Sequence, residues 1–268
     1  MSPVVPGLGE MRPHVRRSVR VMDVAAVPPA NETTWDRWLR PAELAACRER
    51  HRPVLHLAAR LAAKRTMLAL LGLSHTDGER DIEVTGGGRS APGLVLEGRV
   101  ARRAAWAGVG QVTVSLAHAD GHAGALVVAH CGPQGRSRVA PAGGLDIVEL
   151  SRWRLAVHRG GASLVARVTG GYECLTDSRK PAPDVWRSAV RFALKECVVK
   201  AVDGFPSGGR FHDVVVTFDD TGRPILRCTG AVGRHLTAVQ LEPHEASVAT
   251  VAPGVLQAVV VMRQAGKA

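Results

Sequence analysis

Glu196 and Lys200 stand four apart in the run VWRSAVRFALKECVVKAVDG, whose composition predicts a helix, so the two side chains share one face. Asp146 lies between Leu145 and Ile147 in GLDIVEL. A carboxylate in such an apolar strand is costly to bury without a cation or hydrogen bonds. Ser115 and His118 end the β-prone run VTVSLAH. Two carboxylates from different elements are the hard oxygen ligands that Mg²⁺ prefers beside phosphate oxygens and water. A lysine one turn from such a carboxylate reaches a phosphate as a point charge, and a serine and a histidine at a strand end can bind another. Together the set suits Mg²⁺–pyrophosphate chemistry, in which cations stabilise charge developing on phosphate oxygens. Each residue also has an ordinary reading. Glu196 with Lys200 is a solvent-facing ion pair, Asp146 a strand end at the surface, His118 a structural or exposed histidine, Ser115 an outward-facing position. Only the ordered set points to a site.

The elements that must position these residues come in two similar series. In the first, the strand VRVMDVAAV leads to a helix, LAARLAAKRTMLALLG, closed by Gly72 as by a C-cap. A strand from Asp81, a glycine-rich turn, LVLEG and an Ala/Arg-rich helix follow. The series ends in VTVSLAHADGHAGALVVA, where two β-prone runs flank the hairpin signal Asp120-Gly121. The second series runs GLDIVEL, the helix carrying Glu196, a strand from Asp213, a GRP turn, ILRCTG and SVATVAPGVLQAVVVM. Between them, Cys131 to Gly144 is rich in Gly, Pro and Arg and reads as a linker. The expected division is 1–132, a linker at 133–142, and 143–268. Lys64 and Lys195 lie 131 apart, Asp81 and Asp213 132, Ala125 and Ala258 133, near-constant offsets that favour a duplication.

The copies are most informative where they disagree. Glu196 and Lys200 correspond to Arg65 and Ala69 of the first half, while Ser115 and His118 correspond to Val248 and Val251 of the second. Each copy has lost what the other retains. The economical reading is one composite site between the halves, where His118 faces Asp146, Glu196 and Lys200.

Composition bounds the rest. The chain has 268 residues, enough for one large domain or two small ones, and 46% are hydrophobic, a globular balance. No apolar run approaches the ~18 residues of a membrane span, and prolines and arginines break the N-terminal segment before a secretory h-region can form. Five cysteines without a CxxC pair argue against a disulfide framework or a structural zinc site and suit a reducing cytoplasm. The net charge of +11 rests mostly on arginines, either a coding bias or a field for an anion such as a phosphorylated cofactor or an acidic protein. With aromatics at 4% and no basic run interleaved with stacking residues, nucleic acid is disfavoured as a partner.

The ordered set resembles the 4′-phosphopantetheinyl transferases, in which a (V/I)S(L/I)(A/S)H strand precedes a G-(I/L)-D-I strand and then a (W/F)-x-x-KE-x-x-x-KA helix. The matching residues are Val114 to His118, Gly144 to Glu149, and Phe192 to Ala201, and the resemblance spans Val19 to Met262. In length and complementary losses the chain is similar to the surfactin-synthetase-activating type, a pseudo-dimer with one site between its halves. In RPAELAACRERHRPVLHLAARLAAKR and GLDIVEL it is similar to the holo-acyl-carrier-protein-synthase type, a homotrimer of chains about half as long. The resemblance implies an α+β fold: a pseudo-twofold duplication in which each half is a small antiparallel sheet packed with helices. The first half would be the coenzyme A side and the second the Mg²⁺ and catalytic side, within a cytoplasmic monomer. It implies transfer of the phosphopantetheine arm of coenzyme A to a serine of an apo acyl or peptidyl carrier protein, releasing 3′,5′-ADP. Asp146 and Glu196 would hold Mg²⁺, Lys200 the transferred phosphate, and Ser115 and His118 the coenzyme A phosphates. Arg60 matches a family cation near the adenosine 3′-phosphate, with Lys64 and Arg89 as further candidates. Where the surfactin type often has a third carboxylate this chain has Val148, and Glu149 would point to the opposite strand face, which leaves the general base open between Glu196 and a metal-held water. The alternatives are a degenerate homologue that binds coenzyme A or carriers without catalysis, and a basic nucleic-acid-binding protein.

Overall fold

Two strands, β5 (His122–Cys131) and β10 (Val255–Gln264), are apolar on both faces because both faces are buried. The computed structural model describes residues 14–75, 78–87, 90–131, 140–170, 173 and 184–265. Along β5, Ala125, Val127 and Ala129 meet the helix of their own half, while Leu126 and Val128 meet the other half's sheet. Along β10, Ala258, Val260 and Met262 face their helix, and Val259 and Val261 face the first sheet.

Each of these strands is the centre of a three-stranded antiparallel sheet. In the first half β5 lies between β1 (His14–Asp23) and β4 (Val109–Ala119); in the second, β10 lies between β6 (Ala142–Glu149) and β9 (Leu241–Ala252). One long helix packs on each sheet: α2 (Pro53–Leu70) on the first, α5 (Val185–Ala201) on the second. Each half adds a two-stranded hairpin and a short helix. These are β2 (Ile82–Thr85), β3 (Gly93–Leu96) and α3 (Gly98–Trp106) in one, and β7 (Val214–Phe218), β8 (Pro224–Cys228) and α6 (Gly230–Ala238) in the other. Two further helices are α1 (Pro41–Arg48) and α4 (Leu150–Val168). The fold is therefore α+β and duplicated.

The duplication extends to the buried polar groups. Lys64, fully buried, donates to Glu43 Oε2 at 2.6 Å, and Glu43 Oε1 accepts the Val84 N–H at 3.0 Å, while Arg60 donates to the Val84 carbonyl. In the second half Lys195 donates to Glu173 Oε2 at 2.8 Å, Glu173 Oε1 accepts from Val216 N at 2.6 Å, and Arg191 donates to Val216 O at 3.1 Å. The corresponding pairs are 130 to 132 positions apart. Each clamp ties a hairpin to a helix at both the N–H and the C=O of one strand residue.

The sheets stack face to face through Leu126, Val128, Leu145, Ile147, Val259 and Val261. Leu126, Leu145 and Val259 are wholly buried, and at about 1.5–3 kcal/mol per fully buried aliphatic side chain this contact outweighs the polar ties across it. Those ties are Leu145 N donating to Ser115 Oγ at 3.1 Å, Arg17 Nε to Glu245 Oε2 at 2.6 Å, and an Arg152–Asp120 ion pair at 3.2 Å. An exposed ion pair contributes roughly 0–1 kcal/mol.

Local signals in the sequence correspond to these elements at several points. Gly72 ends α2 with φ 68°, and Asp120-Gly121 turns β4 into β5. The expected linker at 133–142 lies outside the described residues up to 139, and Ala142 already belongs to β6. Helix α4 was not anticipated: Gly160-Gly161 interrupts its pattern, and the backbone breaks at Gly161 (φ 56°, ψ −153°). Cys47, Cys131, Cys197 and Cys228 are free thiols. No helix among the described residues is long and apolar enough to cross a membrane.

Candidate active site

A cleft of about 520 Å³ opens between the halves. The first half contributes Arg50, His56, Arg60, Ser115 and His118 to its walls; the second contributes Val199, Lys200, Asp203 and Gly204. The wall from α5 is held where it is by backbone contact. Gly144 lies so close to α5 that a Cβ on it would stand 1.8 Å from the Cys197 carbonyl oxygen. Only glycine permits that approach, which brings Asp146, two residues on along β6, under the helix face that carries Glu196 and Lys200.

Lys200 Nζ donates to Asp146 Oδ1 at 2.8 Å and to the Leu145 carbonyl at 2.9 Å. The lysine's partner is thus the strand aspartate rather than Glu196 one turn earlier on its own helix. Burial raises the Asp146 pKa against the pull of Lys200, and burial followed by the charge of Asp146 raises that of Glu196. One ammonium serves two carboxylates, and Glu196 accepts no hydrogen bond among the described residues. Two hard oxygen donors short of positive charge fit a divalent cation. No cluster of three or more His, Cys, Asp or Glu side chains occurs among the described residues, so the rest of such a coordination shell would be water and ligand oxygens. Val148 is buried in the α5-side core, and Glu149 Oε1 accepts from Ser151 Oγ at 2.5 Å.

From the first half, Ser115 is buried and its Oγ accepts the Leu145 N–H, which leaves its own O–H to donate. His118 is open to solvent on the cleft, and its ring meets that of His56 edge to face, with centroids 4.8 Å apart. Partial enclosure, then the Lys200 and Arg52 charges, lower the His118 pKa; enclosure, then His118 and Arg50, lower that of His56. Both shifts favour the neutral imidazole. Arg60 is buried, and its guanidinium donates to Cys47 Sγ, Val84 O and Gly86 O, leaving two of its five N–H groups for a ligand.

Of the expected residues, then, Asp146, Glu196, Lys200, Ser115, His118 and Arg60 are brought to one region. Asp146 and Glu196 are not among the cleft walls; Asp146 is tied to them through Lys200. Lys64 is sealed in its ion pair with Glu43 and does not reach the cleft. Arg89 lies outside the described residues. His56, Arg50 and Asp203 were not anticipated. His56 was accessible in principle, since it stands one helical turn before Arg60 and so shares its face.

The duplication separates scaffold from site. Glu43, Lys64, Arg60 and Asp81 have like residues in the second half, doing the same structural work. Apart from Arg60, the residues expected to do the cleft's chemistry have no such copy. Asp146 pairs with Ala258, and the equivalent Ala125 pairs with Arg20, so an arginine stands where the second aspartate would be. Arg65, in the place of Glu196, is paired with Glu79 at 2.7 Å.

The family described as the 4′-phosphopantetheinyl transferase superfamily matches residues 143–252, a span that holds Asp146, Glu196 and Lys200 but not Ser115 or His118. The chain is similar to a holo-[acyl-carrier-protein] synthase of Moorella thermoacetica, 40% identical over 89 residues, 33% of this chain and 70% of that protein. It is similar to one of Streptomyces avermitilis, 35% identical over 118 residues, 44% of this chain and 93% of that protein. Among solved structures, the holo-[acyl-carrier-protein] synthase of Neisseria meningitidis aligns with a TM-score of 0.41 at 26% identity, covering 46% of this chain and 98% of that one.

Proposed function

This chain belongs to the 4′-phosphopantetheinyl transferase superfamily, and we propose that it transfers the phosphopantetheine arm of coenzyme A to a serine hydroxyl of an apo carrier protein, releasing 3′,5′-ADP. One observation carries the reading: Lys200 from the second half lines one cleft with Ser115, His118 and Arg60 from the first, and Asp146 is paired with that lysine. In this reading residues 1–132 form the cofactor side and 143–268 the catalytic side of a cytoplasmic monomer.

In the reaction the serine oxygen attacks the β-phosphorus of the pyrophosphate. The new P–O bond forms as the bond to the leaving 3′,5′-ADP breaks. Glu196, which accepts no hydrogen bond among the described residues, takes the serine proton. Lys200 spends two N–H groups on Asp146 and Leu145 and has a third for the transferred phosphate. Ser115 O–H, His118 and the two remaining N–H groups of Arg60 hold the other phosphates. Asp146 and Glu196 would hold Mg²⁺, which would supply positive charge to the pyrophosphate. The carrier, with its serine at the start of an acidic helix, meets α4, which directly follows the strand of Asp146 and exposes Arg152, Arg154, Leu155 and Arg159.

The test is incubation with coenzyme A, Mg²⁺ and a panel of apo carriers, scoring the mass gain of each carrier. Asp146→Ala and Glu196→Ala should each lower labelling by about 10²–10³-fold or more. Near-normal turnover in either variant overturns the assignment. Coenzyme A binding with no carrier labelled would favour the degenerate homologue.

A further inference from the structure

We propose that His56 is a positioning residue for this transfer, holding the His118 ring in the orientation from which it meets a ligand phosphate. The inference rests on the reading of the cleft as the coenzyme A site. His118 projects from near the end of β4, two residues before Asp120 of the Asp120-Gly121 turn, with an exposed ring. Such a side chain has two freely rotating torsions unless something packs against it. His56 supplies that contact from α2, half-buried, its ring plane 78° to that of His118 with centroids 4.8 Å apart. Edge-to-face geometry of this kind is directional, so it selects one His118 orientation over others.

The anchor is rigid. His56 lies within α2 between Leu55 and Leu57, both buried, and one turn before Arg60, which is fixed by its bonds to Val84 O and Gly86 O. A ring on a packed helix thus orders a ring on a hairpin end, 62 residues away in sequence. The duplicated half gives an internal comparison. The residue 131 positions after His56 is Arg187, which lies over the Phe218 ring at 5.0 Å, and the position equivalent to His118 is Val251. The two histidines occur together on the first half's wall of the cleft, and the equivalent positions of the second half hold no histidine.

The experiment uses the full chain and the variants His56→Ala, His56→Phe, His118→Ala and the double alanine variant. Binding of 3′,5′-ADP should weaken about tenfold in His56→Ala and stay within about threefold in His56→Phe, which keeps the ring contact. The double variant should bind no more weakly than His118→Ala, because His56 acts through His118. In turnover, His56→Ala should raise the coenzyme A KM with kcat changed less. Additive losses, or equal losses in His56→Ala and His56→Phe, would overturn the positioning role. A ligand-free measurement separates this from failure of the functional reading. The ring NMR signals of His118 should shift in His56→Ala and be largely kept in His56→Phe. If the wild type binds no 3′,5′-ADP, the cofactor assignment falls, and with it the phosphate role of His118. If His118 signals are indifferent to His56→Ala, the inference itself falls.

Discussion

Lys64 and Lys200 are lysines on equivalent packing helices, and their surroundings give them opposite duties. Lys64 has no exposed surface; burial lowers its pKa and Glu43 pulls it back up, so its ammonium serves the interior. Lys200 is about a third exposed and bridges Asp146 to the cleft. Lys64→Met leaves the Glu43 carboxylate buried without its cation, a loss expected to cost about 3–5 kcal/mol. Urea denaturation should show that loss, while the folded fraction keeps a near-normal coenzyme A KM. Unchanged stability with a raised KM would instead return Lys64 to the cofactor. The sequence alone did not separate the two, because Lys64's partner lies 21 residues away on another helix and nothing at position 64 announces it. Asp146 was more legible, as a carboxylate between two large aliphatic residues already implied a cation nearby.

At the scale of elements, the site depends on how closely α5 lies on β6. Gly144→Ala would place a methyl group 1.8 Å from the Cys197 carbonyl, so the helix must move away or the strand must bend. Overpacking of this kind typically costs about 1–3 kcal/mol, and the shift separates Asp146 from Glu196 and Lys200 together. Gly144→Ala should therefore lose carrier labelling by more than its fall in melting temperature explains, measured below the transition. Wild-type turnover would show that α5 is not positioned by this contact. The elements themselves were largely legible: the hairpin at Asp120-Gly121, the stop at Gly72, and the two long helices follow from local rules. Helix α4 was not, since paired glycines and scattered arginines hide the periodicity that Trp153 and Val168 provide once they are packed.

For the whole molecule, duplication has been followed by division of labour. The second pseudo-symmetric position holds Arg20, Arg65, Ala69, Val248 and Val251 where the first holds Asp146, Glu196, Lys200, Ser115 and His118. The chain should therefore bind one coenzyme A per polypeptide, measured by titration calorimetry. A stoichiometry of two would mean that the second position still works. The charge of +11 is now partly placed. Arg50, Arg60 and Lys200 gather at the cleft, whereas Lys64, Arg191 and Lys195 are consumed inside the fold. What the sequence determined by itself was the repeat, the residue types that each copy kept, and the chemistry that they share, because a near-constant offset and a pattern of losses can be read in one dimension. Only the tertiary structure decided which cations face the cleft and which are buried, that Lys200 answers to Asp146, and that His56 meets His118. Those outcomes depend on burial and on contacts between distant segments, which are properties of the packed chain.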